Sequence, residues 1–246
     1  MCDHEEAHPN HQCRRDFLKL SGAVWTLGVA GLGATALPAH AQALTKAQRD
    51  AMTPDQVLAA MKKGNERFRK GELRERDALA QQRASAKGQY PKAILLSCID
   101  SRASAETILD MGIGDIFNSR VAGTVADEDV LGGMEFACAA AGAKVVLVMG
   151  HTACGAVKGA IDDVKLGNLT ALLAKIRPSV AATTYTGERT SKNDAFVDAV
   201  ARRHVELTVA EIRKRSPVLS DLEKKGAIRI AGSMYNLETG AVDFFI

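Results

Sequence analysis

Aromatic residues are scarce in this chain, 4% of 246 positions with a single tryptophan. Its interior must therefore be filled by aliphatic side chains and alanine. A charge of one sign is also lacking. Thirty-two Lys+Arg against 29 Asp+Glu leave +3, scattered along the chain, and no basic helix with interleaved aromatics occurs, so nothing points to nucleic acid. No apolar run is long enough to span a bilayer: the stretch from Ser21 to Leu37 is 17 residues diluted by four glycines. A dinucleotide fingerprint is absent as well. Gly150 to Gly155 has the glycine spacing of a phosphate-binding loop, but Ala156 stands where that loop needs lysine.

The N-terminus reads as a targeting segment. Arg14-Arg15 is followed by Asp16-Phe17-Leu18-Lys19, the diluted apolar stretch, and Ala39-His40-Ala41, a small-x-small cleavage site. That order is expected of a twin-arginine signal peptide over residues 1–41, with a mature chain beginning near Gln42. It implies the twin-arginine export machinery as a partner, a periplasmic or otherwise exported destination, and no stable membrane insertion after cleavage. Of five cysteines, Cys2 and Cys13 leave with the signal. The remaining Cys98, Cys138 and Cys154 make no disulfide framework.

Residues 42–90 read as a helical arm. Thr53 caps a helix with Pro54 at its first position, Val57, Leu58 and Met61 form its apolar face, and Gly64-Asn65 is the expected stop. The arm has too little apolar content for its own core, so it should lie across another surface. From residue 91 to 246 strands and helices alternate. Strands are expected over 92–97 (KAILLS), 115–119, 144–149 (KVVLVM) and 227–231, with a terminal strand through Phe245. Helices are expected over 104–111, 127–142, 153–163 and 193–216. The fold class is α/β: a single domain with a mostly parallel central sheet flanked by helices, plus the arm.

The chemistry sits in two short segments, Cys98-Ile99-Asp100-Ser101-Arg102 and His151-Thr152-Ala153-Cys154. Each directly follows an apolar strand, where open parallel sheets collect ligands. Cys98 and Asp100 are two apart in extended chain and share a side; Gly150 and Gly155 bracket the second turn and allow close approach. Two thiols, an imidazole and a carboxylate are the donor types Zn²⁺ accepts. Two thiolates and a neutral imidazole leave the dication with zero net charge. Arg102 can then hold Asp100 bidentately and free the fourth position for water. A closed structural zinc site, or two unrelated buried cysteines, are the blander alternatives. His204, on the face of Phe196, Val200 and Leu207, reads as a core or interface histidine, and Cys138 as packing.

These motifs resemble those of the β-class carbonic anhydrases. Further similarities are Gly64-Asn65-Glu66-Arg67-Phe68, the 193–216 helix leading into Ser216-Pro217-Val218-Leu219, and the segment Gly232 to Gly240. The resemblance implies one Zn²⁺ per chain on Cys98, His151 and Cys154, with Asp100 either a ligand or paired to Arg102. Asp100 and Arg102 are then the catalytic pair, and Gln89, Phe117 and Phe136 line the substrate pocket, Phe136 standing where many members carry tyrosine. The implied activity is reversible hydration of CO₂ to bicarbonate and a proton by a zinc-bound hydroxide, in a homodimer or homotetramer. CS₂ or COS hydrolysis on the same scaffold, and a non-catalytic zinc protein, are the alternatives. The only tryptophan, Trp25, lies in the signal, so the arm lacks the tryptophan of the bicarbonate-inhibited subgroup.

Overall fold

A computed structural model describes residues 43–245, so the signal reading of residues 1–41 lies outside the described residues. The centre is a five-stranded sheet in the order β2–β1–β3–β4–β5. β1 (Ala93–Ser97), β2 (Ile116–Arg120), β3 (Val145–His151) and β4 (Arg229–Tyr235) run parallel, and β5 (Val242–Phe245) closes one edge antiparallel. Every residue of β1 and β3 is buried. That explains why both read as unbroken apolar runs: a parallel strand covered on both faces has no polar side to show.

Side-chain alternation splits these strands between two cores. Ile94, Leu96, Val146, Val148 and Ile230 face one, built with α5 (Glu128–Glu135), α6 (Gly155–Ile161), α7 (Gly167–Ala182), α8 (Asp194–Arg215) and α9 (Pro217–Lys224). Ala93, Leu95, Val145, Leu147, Met149 and Ala231 face the other, built with α2 (Pro54–Lys70) and the short α4 (Ala105–Ile108). Two further helices, α1 (Lys46–Asp50) and α3 (Ala78–Ser85), complete the arm. From β1 the chain moves to β2 on one side and then crosses to β3 on the other. The carboxyl ends of β1 and β3 therefore form the switch point where such sheets hold ligands.

The arm begins as expected, with Thr53 and Gln56 closing a capping box and Pro54 in the first turn. It does not stop at Gly64-Asn65. The helix runs to Lys70 and ends at Gly71, at φ 72. Gly64 is a contact point instead: a Cβ there would fall 1.9 Å from the Leu109 carbonyl oxygen. Asn65 docks the arm onto the domain. Its amide donates to the carbonyls of Ile108 (3.2 Å) and Gly240 (2.8 Å), and its oxygen accepts from Val242 N–H (2.9 Å). Val57 and Met61 are fully buried against the sheet, so the arm does lie across another surface.

Elsewhere the elements differ from expectation in their boundaries. The expected 127–142 helix is α5 followed by a π-helical turn over Phe136–Ala140, and the late strand is Arg229–Tyr235 rather than 227–231. The helices expected over 104–111 and 153–163 shorten to α4 and α6. α7 has no counterpart in the sequence reading. It opens at Gly167 without a side-chain cap and carries Pro178 inside, features that otherwise mark an interruption.

Gly64→Ala should destabilise the fold by about 2–3 kcal/mol, because α2 must move off the α4 backbone. Gly132→Ala in α5, where a Cβ meets nothing within 4 Å, should be neutral or stabilise by about 0.5–1 kcal/mol. Denaturant unfolding of the two variants checks the contrast; equal effects would show that Gly64 is not a packing constraint.

Candidate metal centre

Cys98 leaves the end of β1, His151 is the last residue of β3, and Cys154 precedes α6. Their donor atoms lie within 4.8 Å of one another and all three residues are buried. The backbone around them is specialised. Gly150 lets α8 close onto β3, since a Cβ there would fall 2.7 Å from Val205 Cγ2 and 2.8 Å from Met234 Sδ. Gly155 has no such role: nothing lies within 4 Å of its Cβ position. The strained residue of that turn is Ala153, at φ 52. Asp198 from α8 holds it by accepting its N–H at 2.8 Å.

Hydrogen bonds orient the donors. His151 Nδ1 donates to the Thr152 carbonyl at 2.9 Å, which leaves Nε2 turned toward the sulfurs, buried and without a hydrogen-bond partner among the described residues. The Gly123 N–H donates to Cys98 Sγ at 3.4 Å. The two thiols act on each other in opposite senses. Cys98 is drawn down to about 4 by the hydrogen bond from Cys154, against burial and with further help from His151. Cys154 keeps the proton and is pushed up by the same bond and by burial. Burial works against a proton on His151, but the Cys98 sulfur, the Thr152 carbonyl and the Asp100 carboxylate together outweigh it and the net shift is upward.

This donor set fits a tetrahedral dication. With metal–sulfur bonds of about 2.3 Å the two sulfurs would sit about 3.8 Å apart, inside the observed cluster. An unpaired buried imidazole nitrogen aimed at two thiols is otherwise costly. The chain thus offers three protein ligands, the number that leaves one position open.

Asp100 stands beside this cluster. Its carboxylate is gripped by Arg102, with Nε to Oδ1 at 3.0 Å, Nη2 to Oδ2 at 2.8 Å, and the Arg102 N–H to Oδ1 at 2.9 Å. Oδ2 remains 4.0 Å from His151 Nε2. Arg102 holds the Asp100 carboxyl well below the usual carboxylate range. The loop itself is pinned by Arg120, which donates to the carbonyls of Cys98 (2.9 Å) and Asp100 (2.6 Å).

Three residues expected in the pocket do not join the cluster within one chain. Gln89 is exposed and precedes the amino end of β1, whereas Cys98 follows its carboxyl end. At about 3.3 Å per residue the strand alone separates them by roughly 15 Å. Phe117 stands level with Ile94, four residues before Cys98. It packs edge-on against Phe136, which is 58% exposed, at 6.0 Å between ring centres. Cys138 is packing as expected, its thiol pushed up to about 12 by burial. His204 is buried. The structural parts played by Arg120, Gly123 and Asp198 were not legible: each acts through backbone groups far away in sequence, which no local spacing announces.

The sequence profile of the family described as "Carbonic anhydrase" matches residues 93–242. The chain is 37% identical over 189 residues to carbonic anhydrase 2 of Mycobacterium tuberculosis, covering 76% of this chain and 90% of that one. It is 33% identical over 196 residues to the carbonic anhydrase of Mycolicibacterium smegmatis, covering 77% and 92%. Among solved structures, a β-carbonic anhydrase of Aspergillus fumigatus superposes with TM-score 0.58 at 25% identity, covering 78% of this chain and 89% of that one. The tetrameric β-carbonic anhydrases of Sordaria macrospora share the fold, with TM-score 0.57 at 24% identity and coverage of 65% and 82%.

The chain belongs to the carbonic anhydrase family, and its fold is that of the β class.

Proposed function

We propose that this β-class member binds one Zn²⁺ through Cys98, His151 and Cys154 and catalyses the reversible hydration of CO₂ to bicarbonate and a proton. The observation that carries the reading is the bidentate grip of Arg102 on Asp100, which keeps the carboxylate off the three donors. When bound, the zinc supplies a Lewis acid that brings the pKa of water toward neutrality.

The chain's own residues do the rest. His151 presents Nε2 because Nδ1 is committed to Thr152 O. Asp100, ionised through its pairing with Arg102, is an acceptor only. It takes a hydrogen bond from the attacking water and turns the water's lone pair toward CO₂, and the released proton passes to buffer. Arg102 is 58% exposed in its side chain, so the pair contributes little to stability; its part is positional.

Gln89, Phe117 and Phe136 serve substrate only if a second copy brings them to the centre. A homo-oligomer built on the open β2 edge, where Phe136 is exposed, suits this reading, and the tetrameric Sordaria enzymes lend it support. Residues 1–41 act as a twin-arginine signal that delivers the chain to the periplasm; no helix among the described residues is long and apolar enough to cross a membrane.

Arg102→Ala should retain one zinc per chain yet lose at least tenfold in CO₂ hydration by stopped flow, because Asp100 is released toward the metal. Wild-type activity in that variant, or a wild-type chain with zinc and no hydration, would overturn the assignment. Mass spectrometry of the exported protein should find a chain starting near Gln42; a chain retaining residue 1 would contradict the signal reading.

A further inference from the structure

Ser179 in α7 and His204 in α8 share a buried hydrogen bond, Oγ to Nδ1 at 2.8 Å, that belongs neither to the donor set nor to the Asp100–Arg102 pair. His204 is only 6% exposed, and its other ring nitrogen, Nε2, has no hydrogen-bond partner among the described residues. A buried polar atom left unpaired is costly, and mere space-filling does not require one. The ring also forms part of the wall of the small cavity bounded by Cys98, Gly123, His151 and Cys154.

Gly123 links the two. Its N–H is the donor to Cys98 Sγ at 3.4 Å, its Ala122–Thr124 turn packs against α8, and Gly123 and His204 wall the same cavity. It sits at φ 67, and a Cβ would fall 2.5 Å from Ile176 Cδ1 of α7, so the turn is held between α7 and the cavity without slack. We propose that His204, fixed by Ser179, is a positioning residue for the metal centre. It braces the Gly123 turn so that the Gly123 N–H stays on the Cys98 sulfur, and thereby sets how strongly that sulfur donates to the metal. Partners at this remove from a metal typically govern affinity by 10–100-fold. Burial holds the His204 imidazole down to about 4, which suits a neutral, fixed brace and not a proton carrier at neutral pH.

The inference rests on the metal reading above, and the test separates the two. Cobalt(II) replaces zinc, because cysteine-to-cobalt charge-transfer absorption reports sulfur donation without reference to turnover. A wild-type chain that fails to take up cobalt overturns the metal reading, and the brace with it. Given wild-type uptake, His204→Leu should shift the charge-transfer band and weaken affinity, measured by chelator competition, about tenfold or more. His204→Gln keeps a side-chain N–H and should recover most of both. Ser179→Ala should move both in the same direction by less, and it decides the matter if His204→Leu does not fold. Val209→Ala, buried on the same helix, should lower thermal stability with the band unmoved. Wild-type band and affinity in the His204→Leu and Ser179→Ala proteins would overturn the proposal. So would equal losses in His204→Leu and His204→Gln.

Discussion

Two thiols and an imidazole buried within 4.8 Å of one another are the constraint on which the rest of this structure depends. His151 Nε2 has no hydrogen-bond partner among the described residues, and low-polarity surroundings penalise a buried polar atom left so. The fold holds it in place nonetheless. Parallel β1 and β3 deliver Cys98 and His151 to one edge, Gly150 admits α8, and Asp198 fixes the strained Ala153 that turns Cys154 inward. Each feature has a local cost, and each converges on the same three atoms.

Around that fixed centre the ionic parts differ in kind. Asp100 is mostly buried while Arg102 is largely exposed, so the pair reaches solvent, where the proposed reading gives it a positional role. Ser179, His204 and Gly123 are buried, where neutral hydrogen bonding can adjust a sulfur without adding charge. The centre is thus approached by charge from solvent and by dipoles from the core.

Much of this was legible in the residues. KAILLS and KVVLVM announced buried parallel strands, and the donors immediately after them had to meet at the switch point. The arm's start was legible from Thr53 and Pro54, but its end was not. Gly64 looks like a stop in sequence and is a close-packing position in space, because its reason lies 45 residues downstream at Leu109. Gly155 misleads in the opposite sense, being glycine where a side chain has room. α7 is hidden in the sequence because Pro178 interrupts its pattern and no side chain caps its start. Gln89, Phe117 and Phe136 show a further limit: motif position named them, yet one chain's strand geometry holds Gln89 and Phe117 away from the centre, with Phe136 packed on Phe117.

A metal held by Cys98, His151 and Cys154 alone should have an exchangeable fourth position. Titration of the cobalt-loaded wild-type protein with azide, followed by visible absorption, tests it most directly. A saturable spectral change at one anion per chain is the predicted result. A spectrum indifferent to azide, with all four positions filled by protein, would contradict it.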